Sequence, residues 1–190
     1  MEAEFEKKHE QFKRVFHEYY PLLCNYAFSF VKEKDSAEDI VQETFLRIWE
    51  KRSDLLDNDT IRYYLFTAVR NNCLTHHQLT KRADHLRNSL RNIPAENFVP
   101  GDAHQDLADQ RAIIEDALAQ LPPKCKDVFL LSRLGNLTYK EIARSLNISV
   151  KTVENQMGKA LKMMRAFLKD DKLFHILMII GFIFFSQAIP

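Results

Sequence analysis

Glycine is scarce in this chain, with four in 190 residues, and runs that alternate apolar with polar residues are almost absent. A sheet-rich protein needs both, glycine for its turns and alternation for half-buried strands. Their lack points to an all-α protein. Three cysteines, Cys24, Cys73 and Cys125, stand far apart with no CxxC spacing. That excludes a disulfide framework and fits buried thiols in a reducing, cytoplasmic setting. The opening residues, MEAEFEKKHEQF, are charged, which argues against a secretory leader. Nor is there a catalytic cluster. The vicinal His76 and His77 have no carboxylate or cysteine at a helical i+4 position, so they read as structural or phosphate-facing. No catalytic residue, metal, cofactor or small-molecule substrate is expected.

The chain also lacks net charge, at +1, but its charge is not evenly spread. Residues 33–59 hold nine acidic and four basic groups, 62–91 one and six, and 96–118 six and one. From Leu137 to Lys169 seven Lys or Arg stand against two Glu. Alternating blocks of this kind predict separate surfaces for nucleic acid and for another protein.

The basic block carries the clearest motif. In TYKEIARSLNISVKTVENQMGKALKMMRAFL, Thr138 to Leu168, Thr138 is placed to cap a helix, with Glu141 completing a capping box and Ile142, Ala143 and Leu146 on one side. Asn147 to Ser149 forms a turn. Ser149 then caps a second helix whose Val153, Met157, Ala160, Leu161 and Met164 recur at three- and four-residue spacing. This is a helix-turn-helix. Off the stripe lie Lys151, Thr152, Glu154, Asn155, Gln156 and Lys159, side chains suited to phosphates and base edges in a major groove.

Upstream, Phe12, Val15, Phe16, Tyr19, Tyr20, Leu22, Leu23 and Tyr26 make an aromatic-rich helical face that reads as core. In DSAEDIVQETFLRIWEKR, Asp35 to Arg52, Ser36 is the expected N-cap, with acidic residues in the first turn and basic ones in the last. Ile40, Val41, Phe45 and Ile48 form its buried side. Asp39, Gln42, Glu43, Leu46 and Trp49 form a second surface. On spacing alone Trp49 fits either a protein-docking anchor or the edge of the core, where such a residue more often sits. After the loop Arg52 to Thr60, a helix from Ile61 to Ala83 puts Leu65, Val69, Cys73 and His76 on one face. Tyr63, Tyr64, Phe66, Arg70, Asn71 and Lys81 surround it. Rings beside Arg and Asn suit single-stranded DNA, because bases stack on rings and the backbone attracts positive charge.

These readings give two small helical domains, 8–83 and 107–169, joined by a Pro- and Gly-punctuated acidic linker, 84–106, and followed by a hydrophobic tail, 170–190. In the second domain Val128, Leu131 and Leu134 are core and Gly135 stops the helix before the motif. The apolar run Ile176 to Phe185 is shorter than the ~20 residues of a membrane span, so no stable insertion is expected. A helix packed on the domain, a docking segment and a loose membrane contact fit the tail in that order.

With both halves read, the order of elements from about Phe12 to Leu168 resembles the extracytoplasmic-function group of bacterial RNA polymerase sigma factors, particularly members common in Bacteroidetes. The resemblance rests on AEDIVQETFLRIWEKR (37–52), YYLFTAVRNN (63–72), LPPKCKDVFLL (121–131) and YKEIARSLNISVKTVENQMGKAL (139–161). It implies sigma region 2-like and region 4-like domains. By the same resemblance Asp39, Gln42, Glu43, Leu46 and Trp49 dock on the clamp helices of core RNA polymerase. Tyr63, Phe66, Arg70 and Asn71 face the melted minus-ten strand of promoter DNA, with a flipped base received by the loop 53–60. Glu154, Asn155 and Lys159 read the minus-thirty-five element, with Lys151 and Thr152 near its backbone, and an anti-sigma factor is a further partner. Gly158 departs from the bulkier residue frequent there. EIARSLNISVKTVEN also resembles the effector domain of response regulators, the alternative reading. Such proteins carry an α/β receiver, and the first hundred residues have no such pattern.

Overall fold

The computed structural model describes residues 2–58, 60–88 and 113–168. Among these the regular structure is entirely helical: α1 (Glu2–Val31), α2 (Lys34–Lys51), a 3₁₀ turn (Ser53–Leu55), α3 (Ile61–Asn88), α4 (residues 113–119), α5 (Pro123–Arg133), α6 (Tyr139–Leu146) and α7 (Val150–Leu168). The expected all-α class is therefore what the chain adopts. The hydrophobic tail, and most of the stretch read as a linker, lie outside the described residues.

Helices α1, α2 and α3 pack into one bundle. Their apolar stripes meet in a core of Val15, Leu23, Tyr26, Val41, Phe45, Ile48, Leu65, Phe66 and Val69, all nearly or fully buried. Each such side chain contributes about 1.5–3 kcal/mol when removed from water. Helix α1 runs through Pro21, which gives up one backbone donor but leaves the stripe in register. It ends where Lys32 turns left-handed (φ 61°) and donates its backbone N–H to the Phe28 carbonyl at 2.9 Å.

That turn corrects one expectation. Ser36 does not cap α2: the helix starts at Lys34 with Glu33 at the N-cap, and the Ser36 hydroxyl bonds to the Glu33 carboxylate. The left-handed residue redirects the chain ahead of the serine, and burial of Ala37 and Ile40 then carries the first turns without a side-chain cap. Helix α3 continues to Asn88, five residues into the expected linker, because no Gly or Pro interrupts 84–88.

In the second bundle Pro123 opens α5, where its missing N–H costs nothing. The helix stops before Gly135 as expected, but the left-handed residue is Asn136 (φ 46°). Gly135 serves closeness instead. A Cβ there would sit 2.6 Å from the Leu131 carbonyl oxygen and 3.3 Å from Cδ1 of Phe66, in the other bundle.

Candidate functional site

The helix-turn-helix forms as its sequence dictates. Thr138 accepts from the Glu141 N–H, while the Glu141 carboxylate accepts from the Thr138 N–H (2.7 Å) and hydroxyl. Partial burial works against the charged form of Glu141. The Thr138 hydrogen bonds outweigh it and hold the carboxyl below its ordinary pKa. Asn147 turns left-handed (φ 52°), and Ser149 accepts from the Thr152 N–H at 3.1 Å to cap α7. Val153, Met157, Ala160, Met164 and Leu168 are buried on one side of α7, which leaves Lys151, Glu154, Asn155 and Lys159 in solvent on the other. Thr152 is half-buried and bonds to Ser149 through its hydroxyl, and Lys151 pairs with Glu154 at 3.2 Å. Gln156 is half-buried and turned toward α5, accepting from the Cys125 thiol. Burial pushes that thiol's pKa up, which keeps it protonated as a donor. Gly158 faces open space, with no atom near a Cβ position.

On α2, Asp39, Gln42, Glu43 and Leu46 share an exposed face. Gln42 donates to the Tyr20 hydroxyl at 3.3 Å, Glu43 pairs with Arg47, and Leu46 is 55% exposed. Trp49 is different. Its indole is half-buried in a box that α1 supplies: Phe5 and Phe12 approach edge-on at 6.0 and 5.2 Å, His9 at 6.4 Å, and the Lys8 ammonium lies 4.4 Å over the ring. Lys8 also donates to the Trp49 carbonyl at 3.1 Å, a cation at the C-terminal end of α2. The box was missed in the sequence, where the aromatic stripe was begun at Phe12. Phe5, Lys8 and Phe12 already repeat at the helical interval that would have shown it.

Helix α3 departs furthest from expectation. Phe66, read as an exposed stacking ring, is fully buried, 5.1 Å edge-on from Tyr26 and close under Gly135. A side chain so enclosed has no face open to a base. Arg70 is held in an ion pair with Asp127 of α5. Tyr63 is half-buried and Asn71 exposed. Asn72 instead crosses to α2 and donates to the buried Thr44 hydroxyl at 3.0 Å. His76 is half-buried and His77 exposed, and no metal-binding cluster occurs among the described residues. No helix there is long and apolar enough to cross a membrane.

Comparison with known proteins gives the arrangement its family. Residues 15–83 match the model of sigma-70 region 2, and residues 111–164 that of sigma-70, region 4. The chain is 27% identical over 159 residues to the ECF RNA polymerase sigma factor SigL of Mycobacterium tuberculosis, covering 83% of this chain and 89% of that one. It is 24% identical over 152 residues to the ECF RNA polymerase sigma factor SigM of Bacillus subtilis, covering 80% and 91%. In fold it is similar to the sigma factor RpoE of Bartonella quintana, solved in complex with the anti-sigma factor NepR, at a TM-score of 0.62, 24% identity and coverage of 84% and 98%. With regions 2 and 4 in order on one helical chain, and relatives of one kind matched over most of their length, the protein belongs to the extracytoplasmic-function group of the sigma-70 family, whose members join core RNA polymerase and direct promoter recognition and transcription initiation.

Proposed function

We propose that the two open helical faces divide this work between them. Asp39, Gln42, Glu43 and Leu46 on α2 dock on core polymerase, with Trp49 stiffening the end of that face from inside its box rather than entering the partner. Asn155, Glu154 and Lys159 on α7 read the minus-thirty-five bases, with Lys151 and Thr152 near the phosphates. Tyr63, Arg70 and Asn71 serve the melted minus-ten strand, and Phe66 supports them from beneath. The observation that carries the reading is the exposure of the α2 and α7 faces opposite well-buried stripes, one acidic with an apolar centre and the other rich in donors. An apolar side chain ringed by polar ones is the usual make-up of an interface centre.

The working domains are residues 8–83 and 107–169, the setting is the cytoplasm, and the motif set is of the type common in Bacteroidetes. An anti-sigma factor is a fitting further partner, since the similar sigma factor RpoE of Bartonella quintana has been solved with one bound. The test is photo-crosslinking from single positions in the complex with core polymerase and promoter DNA. A crosslinker at Leu46 should capture the largest polymerase subunit, and one at Asn155 the upstream DNA. A Leu46 probe that captured only DNA, or an Asn155 probe that captured only polymerase, would reverse the assignment.

A further inference from the structure

Of the α3 residues assigned above to the melted strand, Asn71 stands in solvent but Arg70 does not. Arg70 directs Nε, at 3.1 Å, and Nη2 to a single oxygen of Asp127, and the two side chains retain only 16% and 13% of their exposure. One turn earlier on the same helix, the Thr67 and Ser145 hydroxyls bond at 2.9 Å. Beside them Phe66 lies under Gly135. The contact extends to α1, where Lys126 donates to the Ser29 carbonyl at 2.8 Å and Lys32 pairs with Glu115 at 3.4 Å. Five residues of the second bundle thus grip the first, and Arg70 with Asp127 is the enclosed pair among them.

We propose that this contact is an autoinhibitory clasp in which Asp127 occupies, as an internal carboxylate, the guanidinium donors that a backbone phosphate of the promoter strand would take. The inference rests on the assignment of Arg70 to that strand. Carboxylate and phosphate both accept from the same planar donors, so the two engagements exclude each other. The clasp is also built to open. Parting a buried ion pair lets both ions regain water, so such a pair holds far less tightly than its proximity implies. The exposed Lys32 and Glu115 pair adds little. Closure leaves a further cost: the Tyr26 hydroxyl, within electrostatic reach of both Arg70 and Asp127, is buried with no hydrogen-bond partner among the described residues. Lys126 is likewise half-desolvated, and burial lowers its pKa. Strand capture by Arg70 would then free the second bundle, coupling minus-ten engagement to release of the helix-turn-helix.

The test uses the full chain with Asp127→Asn, which keeps the shape, removes the charge that holds Arg70, and is itself not among the residues assigned to DNA or polymerase. Small-angle scattering should report a larger radius of gyration. Affinity for a degenerate single-stranded 12-mer should rise at least about tenfold, as expected when the binding-competent state ceases to be the minor one. Lys126→Gln, which removes only the contact to α1, should move both readouts the same way by less, and keeps the test available should Asp127→Asn fold poorly. Unchanged dimensions and unchanged affinity in a folded variant would overturn the clasp while leaving Arg70's assignment standing. Domains that part with no gain in affinity would overturn the masking, and Arg70→Ala then binding the 12-mer as the parent does would remove the DNA assignment as well.

Discussion

Helices α3 and α7 both carry residues read as DNA-facing, and they stand in opposite states. On α7 the five-residue apolar stripe is buried and the polar side chains beyond it reach solvent, as a single amphipathic helix on a small bundle requires. On α3 the side beyond its own core is covered by the other bundle, so Arg70 is enclosed although it lies off the Leu65, Val69 and Cys73 stripe, while Phe66, on the same face as Val69 and Cys73, is buried against Tyr26 of its own bundle and under Gly135 of the other. The contrast teaches that helical periodicity locates the face a helix turns to its own domain and is blind to a second domain arriving on the far side.

Phe66→Ala should do the most damage. A ring that bridges two bundles should cost about 3–5 kcal/mol on truncation, read from urea unfolding. A ring that merely waited for a base would cost almost nothing. Next in size is Leu46→Ala. Because that side chain already stands in solvent, stability should shift by no more than about 0.5 kcal/mol, while affinity for core polymerase falls by about 2 kcal/mol, or ~30-fold. Trp49→Ala is the informative control, since opening the box should lower stability and core affinity together.

On α7, Asn155→Ala should change sequence preference by about 1–3 kcal/mol at one base pair, whereas Lys151→Ala should weaken all upstream sequences alike and lower the salt slope by about one. An equal loss of affinity for every sequence with Asn155→Ala would remove that side chain from base reading. Thr138→Ala should cost about 1 kcal/mol by dismantling the capping box. Because the box depresses the Glu141 pKa, the share carried by the carboxylate should be complete above the unfolded-state carboxyl pKa of about 4.3 and disappear as pH falls through the lower folded value, so the gap between parent and variant should narrow in acid to what the Thr138 hydroxyl gains from the Glu141 N–H. The smallest change is Gly158→Ala. With nothing near the Cβ position, it should stabilise α7 by up to about 1 kcal/mol in thermal melts.

Much of the fold was legible because the signals were local. The Thr138 and Glu141 pair, the Asn147 turn and the α7 stripe each depend on residues within one or two turns, and each formed as read. What escaped reading was tertiary. Ser36 looked like a cap until the Lys32 turn moved the helix start, and Gly135, which does follow the end of α5 as read, also serves a close approach to Phe66 that its position did not announce. The Trp49 box was half legible, in the spacing of Phe5, Lys8 and Phe12. Asp127 did carry a signal, a carboxylate four and seven residues before Leu131 and Leu134 on the apolar side of α5, but nothing local names Arg70 as its partner.

By this reading the chain acts with polymerase and not beside it. Run-off transcription with purified core polymerase on fragments of the parent genome, with start sites sequenced, tests this most directly. New transcripts should appear only when the factor is added, from starts that share two upstream elements, and should be lost with Leu46→Ala at limiting factor. Specific binding to promoter fragments with no core association and no factor-dependent start would contradict it.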